Sequence, residues 1–215
     1  MTASEILRKW RDSSGAERSN AQGFLIDVCR ALDVDPPNPA TTDPERDDYV
    51  FEKPVAIPHE GRKVTIGRID LYKRGHFVLE AKQGSHEGSR RIGVADRNTP
   101  RWQIAMQDAF GQALKYARHV DDTPPFVVVT DVGYCFDLYS SFDGTRNYRP
   151  FPDAKNSRLF LSTLIEATVA RDAAQATPPP PINLYATVTY RRYAAFSSTL
   201  TPSTPPAAPH ASPVR

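Results

Sequence analysis

The stretch Arg68-Ile69-Asp70-Leu71-Tyr72-Lys73-Arg74-Gly75-His76-Phe77-Val78-Leu79-Glu80-Ala81-Lys82 constrains this chain more than any other. Two runs rich in aliphatic and aromatic residues flank Lys73-Arg74-Gly75, the pattern of strands joined by a turn. With a further run before them and the turn His59-Glu60-Gly61 between, they predict a three-stranded meander over Tyr49 to Ile57, Lys63 to Tyr72 and His76 to Lys82. Such strands favour burial, yet they carry an aspartate, a glutamate and a lysine. Side chains alternate faces along a strand, so Glu80 and Lys82 point one way while Phe77, Leu79 and Ala81 line the apolar side. Asp70 faces away from its neighbours Ile69 and Leu71. It reaches the Glu80 and Lys82 end of the hairpin only if the strands splay or the register is loose, and residue order alone does not set that register.

Residues 3–12 predict a short helix with Ile6, Leu7 and Trp10 at helical spacing. A second runs from about Ala16 to Leu32, with Phe24, Leu25, Val28, Ala31 and Leu32 on one face, and Asp35-Pro36-Pro37 ends it. Residues 101–119 form the clearest helix, with Met106, Ala109, Phe110, Ala113 and Ala117 as its buried stripe. Phe126 to Thr130 reads as a buried strand with Gly133 to Tyr139 as its neighbour, and Leu159 to Ala170 as a last helix. The expected class is α/β, a mixed central sheet flanked by helices. Residues 83–100 are polar, without a pattern of their own.

The chemistry accounts for the residue types in the hairpin. Two carboxylates converging on one point supply what a hard divalent cation such as Mg²⁺ needs, and without a cation they repel. The Ala81 carbonyl can add a third oxygen. A lysine two residues on can orient and help deprotonate a water aimed at phosphorus, so metal-assisted phosphodiester hydrolysis is the reaction such a set serves. The plain alternative is a pair of surface acids on a wet sheet face, with Lys82 as their ion-pair partner. Three neighbours weigh against it: the apolar strands, the preceding helix with Glu17, and glutamines on the polar side of the following helix.

The pattern Asp70–x9–Glu80–x–Lys82, preceded by Gly67-Arg68-Ile69, resembles the PD-(D/E)XK nuclease superfamily. More narrowly, it resembles the N-terminal cleavage domain of MmeI-like fused restriction–modification enzymes. The words ERSNAQGFLIDVCRALDV, YVFEKPV, GRIDLYKRGHFVLEAKQG and AMQDAFGQALKYAR carry that resemblance over about residues 10–170. It implies a restriction-endonuclease-like fold and a Mg²⁺-dependent DNA endonuclease. Asp70 and Glu80 would be metal ligands with the Ala81 carbonyl, and Lys82 the catalytic lysine. Glu17 matches a helical acid that supports such metal sites, although a helix N-terminus also favours glutamate for its dipole. Gln112 and Tyr116 match a Q-x-x-x-Y word found after the lysine, one turn apart on one helix; Tyr116 also borders the buried stripe, where packing would explain it. For DNA contacts the candidates are Arg90, Arg91, Arg97 and Arg101, which follow the ExK strand, and Gln103; a solvated, charged loop reads equally well from the same arginines.

Beyond Asp172 there is no acidic residue, and 9 of the chain's 20 prolines fall in 173–215. The expected division is a nuclease-like domain over 1–172 and a disordered Pro/Ser/Thr/Ala-rich tail over 173–215. The tail's three arginines exceed the net charge of +2, so residues 1–172 are slightly acidic and DNA contact requires a local patch. Fused enzymes of this type continue into a methyltransferase and a target-recognition domain. The expectation is therefore a truncated or frameshifted product, paired with a separate methyltransferase or specificity subunit. Thr123-Pro124-Pro125-Phe126 echoes a methyltransferase word, but no glycine-rich cofactor loop precedes it, so S-adenosylmethionine binding is rejected. Cys29 and Cys135 read as small buried residues, and the absence of a signal-like apolar core at the N-terminus predicts a cytoplasmic protein. Against the endonuclease stands a catalytically silent remnant or DNA-binding adaptor with the same fold.

Overall fold

The turn after Lys73 closes because Gly75 adopts φ +67°, a left-handed conformation that glycine reaches without steric cost. Its arms become β2 (Arg62–Lys73) and β3 (Phe77–Lys82), preceded by β1 (Tyr49–His59). The computed structural model describes residues 3–11, 17–59, 61–85, 95–153, 155 and 157–174. β1 pairs antiparallel with β2, and β2 with β3, so the expected meander is present. β3 then pairs in parallel with β4 (Phe126–Asp131), from Phe77↔Phe126 to Lys82↔Asp131. Parallel neighbours need a crossover, here the helix Pro100–Ala117. Thr99 caps it by accepting the Trp102 N–H at 3.3 Å, and Pro100 sits in the first turn, where a missing N–H costs nothing.

Two helices precede the sheet, α1 (Ala3–Arg11) and α2 (Glu17–Ala31); the crossover is α3, and α4 (Leu161–Ala174) is the last. β5 (Cys135–Ser140) pairs antiparallel with β4, and the short β6 (Arg149–Pro150) and β7 (Arg158–Phe160) both pair with β5. The result is a seven-stranded mixed sheet in the order β1-β2-β3-β4-β5-β6, with β7 also on β5. One face is covered by α1, α2 and α4, through Ile6, Trp10, Phe24 and Leu164 packed with Leu71, Leu79 and Phe126. The other is covered by α3, whose Ala113, Tyr116 and Ala117 pack with Ile69, Tyr72, Val78 and Val127. Among the described residues no helix is long and apolar enough to cross a membrane. Cys29 and Cys135 are buried free thiols, and burial pushes both above the usual thiol range, so they serve packing. The expected tail from residue 175 onward lies outside the described residues.

β1 and β2 exchange faces midway. Leu71 packs with the α1, α2 and α4 layer, while Ile69 packs with α3. Phe51 and Val55 of β1 divide in the same way. Strand residues an even number apart normally share a face. The exchange falls at Asp70 and at Glu52 across from it, and Glu52 has φ +55°, uncommon for a residue other than glycine.

The segment after β3 is held from inside the protein. Asp131, fully buried at the end of β4, accepts hydrogen bonds from the Gly84 N–H at 3.0 Å, Trp102 Nε1 at 2.8 Å and two Arg97 nitrogens at 3.0 Å each. Arg97 also donates to the Val132 carbonyl at 2.8 Å and is 6% exposed. The expectation that Arg97 contacts phosphate is therefore corrected: its guanidinium neutralises a buried carboxylate, which needs a paired charge to be tolerated. Replacing Asp131 by alanine leaves Arg97 as a buried, uncompensated cation. A loss of about 3–5 kcal/mol in urea unfolding is expected; native stability in the variant would overturn this role.

Candidate active site

β2 and β3 remain paired from Lys73↔Phe77 to Leu71↔Leu79, and the assigned ladder stops there. Continuing the register sets Asp70 opposite Glu80. At that point a side chain takes over from the backbone: Ala81 donates its N–H to Asp70 Oδ2 at 2.7 Å. Asp70 thus reaches the Glu80 end of the hairpin through the register set by Lys73↔Phe77, without a slip. A strand residue's N–H and C=O leave on the same side, so the Ala81 carbonyl also opens toward Asp70.

Glu80 follows Val78 on the α3 face and is 2% exposed. A carboxylate withdrawn from water needs compensating charge. Lys82, two residues on and on the same face, places Nζ 3.2 Å from Glu80 Oε1 while its side chain stays 20% exposed. These groups line a cleft of about 420 Å³ between α2 and α3. Gln112 and Tyr116 form its α3 wall, and Ala21 and Gln22 its α2 wall.

Glycine sets how closely α3 approaches. A Cβ on Gly67 would lie 2.5 Å from Tyr116 Cε1, so the ring rests directly on the β2 backbone. Gln112, one turn earlier and exposed at the rim, donates from Nε2 to Tyr116 Oη at 3.2 Å. On the other side, Asn20 Nδ2 donates to Gln83 Oε1 at 3.2 Å, fixing the first turns of α2 to the residue after Lys82. Glu17 opens α2 one turn before Asn20 and Ala21, and its side chain lies outside the described residues.

Asp70, Glu80, Ala81, Lys82, Gln112 and Tyr116 thus share one cleft. Arg90 and Arg91 lie outside the described residues, and Arg97 is the internal partner of Asp131. Arg101 is exposed in the first turn of α3, and Gln103 accepts hydrogen bonds from Arg158 at 3.3 and 3.4 Å. Gln103 lies nine residues before Gln112 on α3, roughly 14 Å along a helix axis. Two charged residues that line the cleft went unassigned from sequence, Glu52 and Arg68. The available signal for each was a charge interrupting an apolar strand, as at Asp70.

Among the described residues no three His, Cys, Asp or Glu side chains gather closely enough to hold an ion alone. The groups on the cleft wall that could serve a cation, the Asp70 and Glu80 carboxylates and the Ala81 carbonyl, are all oxygen. That set suits a hard cation that keeps several of its waters, as Mg²⁺ does, and gives soft metals no ligand.

A family model described as MmeI, N-terminal domain, matches residues 1–187 of this chain. No curated protein and no solved structure matches it.

The Tyr116 contact is testable. Gly67→Ala is expected to cost about 1–3 kcal/mol of stability, as overpacking does. The cost should shrink when Tyr116 is also replaced by alanine. Equal costs in the two backgrounds, measured by urea unfolding, would show that the ring is not what excludes the methyl group.

Proposed function

Since this chain belongs to the MmeI N-terminal domain family, we propose that it is a Mg²⁺-dependent DNA endonuclease domain of a restriction–modification system, hydrolysing phosphodiester bonds. The observation that carries this reading is the Ala81–Asp70 hydrogen bond, which draws the Asp70 carboxylate to the end of β3 that bears Glu80 and Lys82. The family supplies the link to restriction–modification, and the oxygen donors and their lysine supply the chemistry.

Asp70, Glu80 and the Ala81 carbonyl are the groups that would hold the cation. A divalent ion bound there would withdraw charge from a phosphate oxygen and acidify a water. Lys82 has two tasks in the proposal. Its ammonium supplies the charge that the buried Glu80 carboxylate faces, and its partial exposure lets Nζ approach the attacking water and hold it in line with phosphorus. Gln112, on the opposite wall, positions substrate through an amide oriented by Tyr116 Oη. DNA is the proposed partner, with a methyltransferase or specificity subunit supplying sequence recognition.

Nicking of supercoiled plasmid with Mg²⁺, and its abolition by a chelator, tests the reading. Asp70→Ala and Lys82→Ala are each expected to lower the rate by about a hundredfold or more. Identical residual nicking in the native protein and both variants would instead favour a silent remnant of the same fold.

A further inference from the structure

The cleft contains a second cation whose disposition differs from that of Lys82. Arg68 lines the same cleft as Asp70 and Glu80, is exposed, and makes no hydrogen bond or ion pair among the described residues. The nearby carboxylates have other engagements, Asp70 with the Ala81 N–H and Glu80 with Lys82. A guanidinium beside two carboxylates that does not close on either remains open to an anion from outside.

Its position on β2 defines which anion. Ile66, Arg68 and Asp70 lie two apart along β2 and, with Gly67, line the cleft. Two strand residues advance about 6.7 Å, comparable to the spacing between successive phosphates of one nucleic-acid strand. The backbone there is fixed by pairing with β1, Pro54↔Arg68 and Val55↔Gly67. Arginine suits the role because its planar fork meets two phosphate oxygens at once.

We infer that Arg68 grips the phosphate next to the one being cleaved, laying one nucleic-acid strand along β2 so that the neighbouring phosphodiester sits over Asp70, Glu80 and Lys82. This rests on the nuclease reading of the cleft and adds the direction in which the substrate strand runs. It adds a phosphate contact on the strand before the turn to the candidates in the loop after β3.

The full chain, as native protein and as Arg68→Ala and Arg68→Lys, is titrated with fluorescently labelled DNA duplex in Ca²⁺ at several salt concentrations. Plasmid nicking in Mg²⁺ is followed in parallel. Arg68→Ala is expected to weaken binding roughly tenfold, as loss of a charged hydrogen-bonded contact does. The slope of log K against log salt should fall by about 0.9, the value for one phosphate contact. KM should rise with kcat little changed, and Arg68→Lys should recover part of the affinity by keeping the charge while losing the fork. The melting temperature should stay native, because the side chain is exposed and packs against nothing that its loss would open. Native affinity and salt slope in Arg68→Ala would overturn the inference, as would a native chain that binds no DNA. Failure of the nuclease reading is separate: the native protein would nick no faster than Asp70→Ala, while the binding titration would still decide Arg68.

Discussion

Ala81 is buried at the end of a central strand, and its N–H must be accepted by something. A buried amide left without an acceptor costs about as much as a lost hydrogen bond together with its desolvation. β2 does not supply a carbonyl there, because its pairing with β3 ends two residues earlier, at Leu71↔Leu79. Asp70 supplies a carboxylate oxygen instead, at 2.7 Å. That substitution has two consequences. The strands can separate without leaving an unsatisfied amide, and the space between them becomes the floor of a cleft with an acid anchored in it.

The treatment of buried charge elsewhere sets this cleft apart. Asp131 is met by a backbone amide, an indole and a guanidinium, and Asp137 by both prongs of Arg158 at 2.6 Å. Asp27 receives Lys9 at 2.6 Å, Trp10 Nε1 at 2.9 Å and Arg30 at 3.1 Å. Burial alone would raise the pKa of Asp27, yet these donors hold it below the usual carboxylate range. Such carboxylates join elements: Asp27 ties α1 to α2, and Asp131 ties the end of β4 to α3. Glu80 is as buried as Asp27, but its cation is the half-open Lys82, and the pair looks into a cleft instead of into packed side chains. The Glu80–Lys82 pair is therefore reachable from the cleft, whereas Asp131 is enclosed by its donors.

The helices frame this floor through small residues. Gly67 admits the Tyr116 ring to the β2 backbone, and Ala21 of α2 forms the facing wall. Larger side chains at either position would narrow the opening that Lys82 lines. Glu52, with its positive φ, marks the level at which β1 and β2 exchange faces, so irregular backbone and cleft coincide. Irregularities of this kind re-aim side chains that regular pleating would direct elsewhere.

Periodicity alone determined much of this protein. The meander, the eighteen-residue α3 and the buried strand β4 follow from local spacing and turn residues, and they lie where the pattern puts them. Alternation placed Glu80 and Lys82 on one face, because residues two apart in a strand share a face whatever the fold, while Asp70 was singled out by its resemblance to a D…ExK pattern. Tertiary structure decided what depends on distant partners. Arg97 read as a phosphate contact because its acceptor, Asp131, lies 34 residues away and nothing local announces the pair. Trp102 and Tyr116 proved more buried than the stripe implied, since their seats are made by Asp131 and Gly67. β6 and β7, two and three residues long, are too short to carry a period and exist only because β5 offers them an edge. What residue order left open was the register of β2 against β3. The pairs Lys73↔Phe77 to Leu71↔Leu79 fix it and set Asp70 opposite Glu80, a relation between two strands that the period within either strand does not contain.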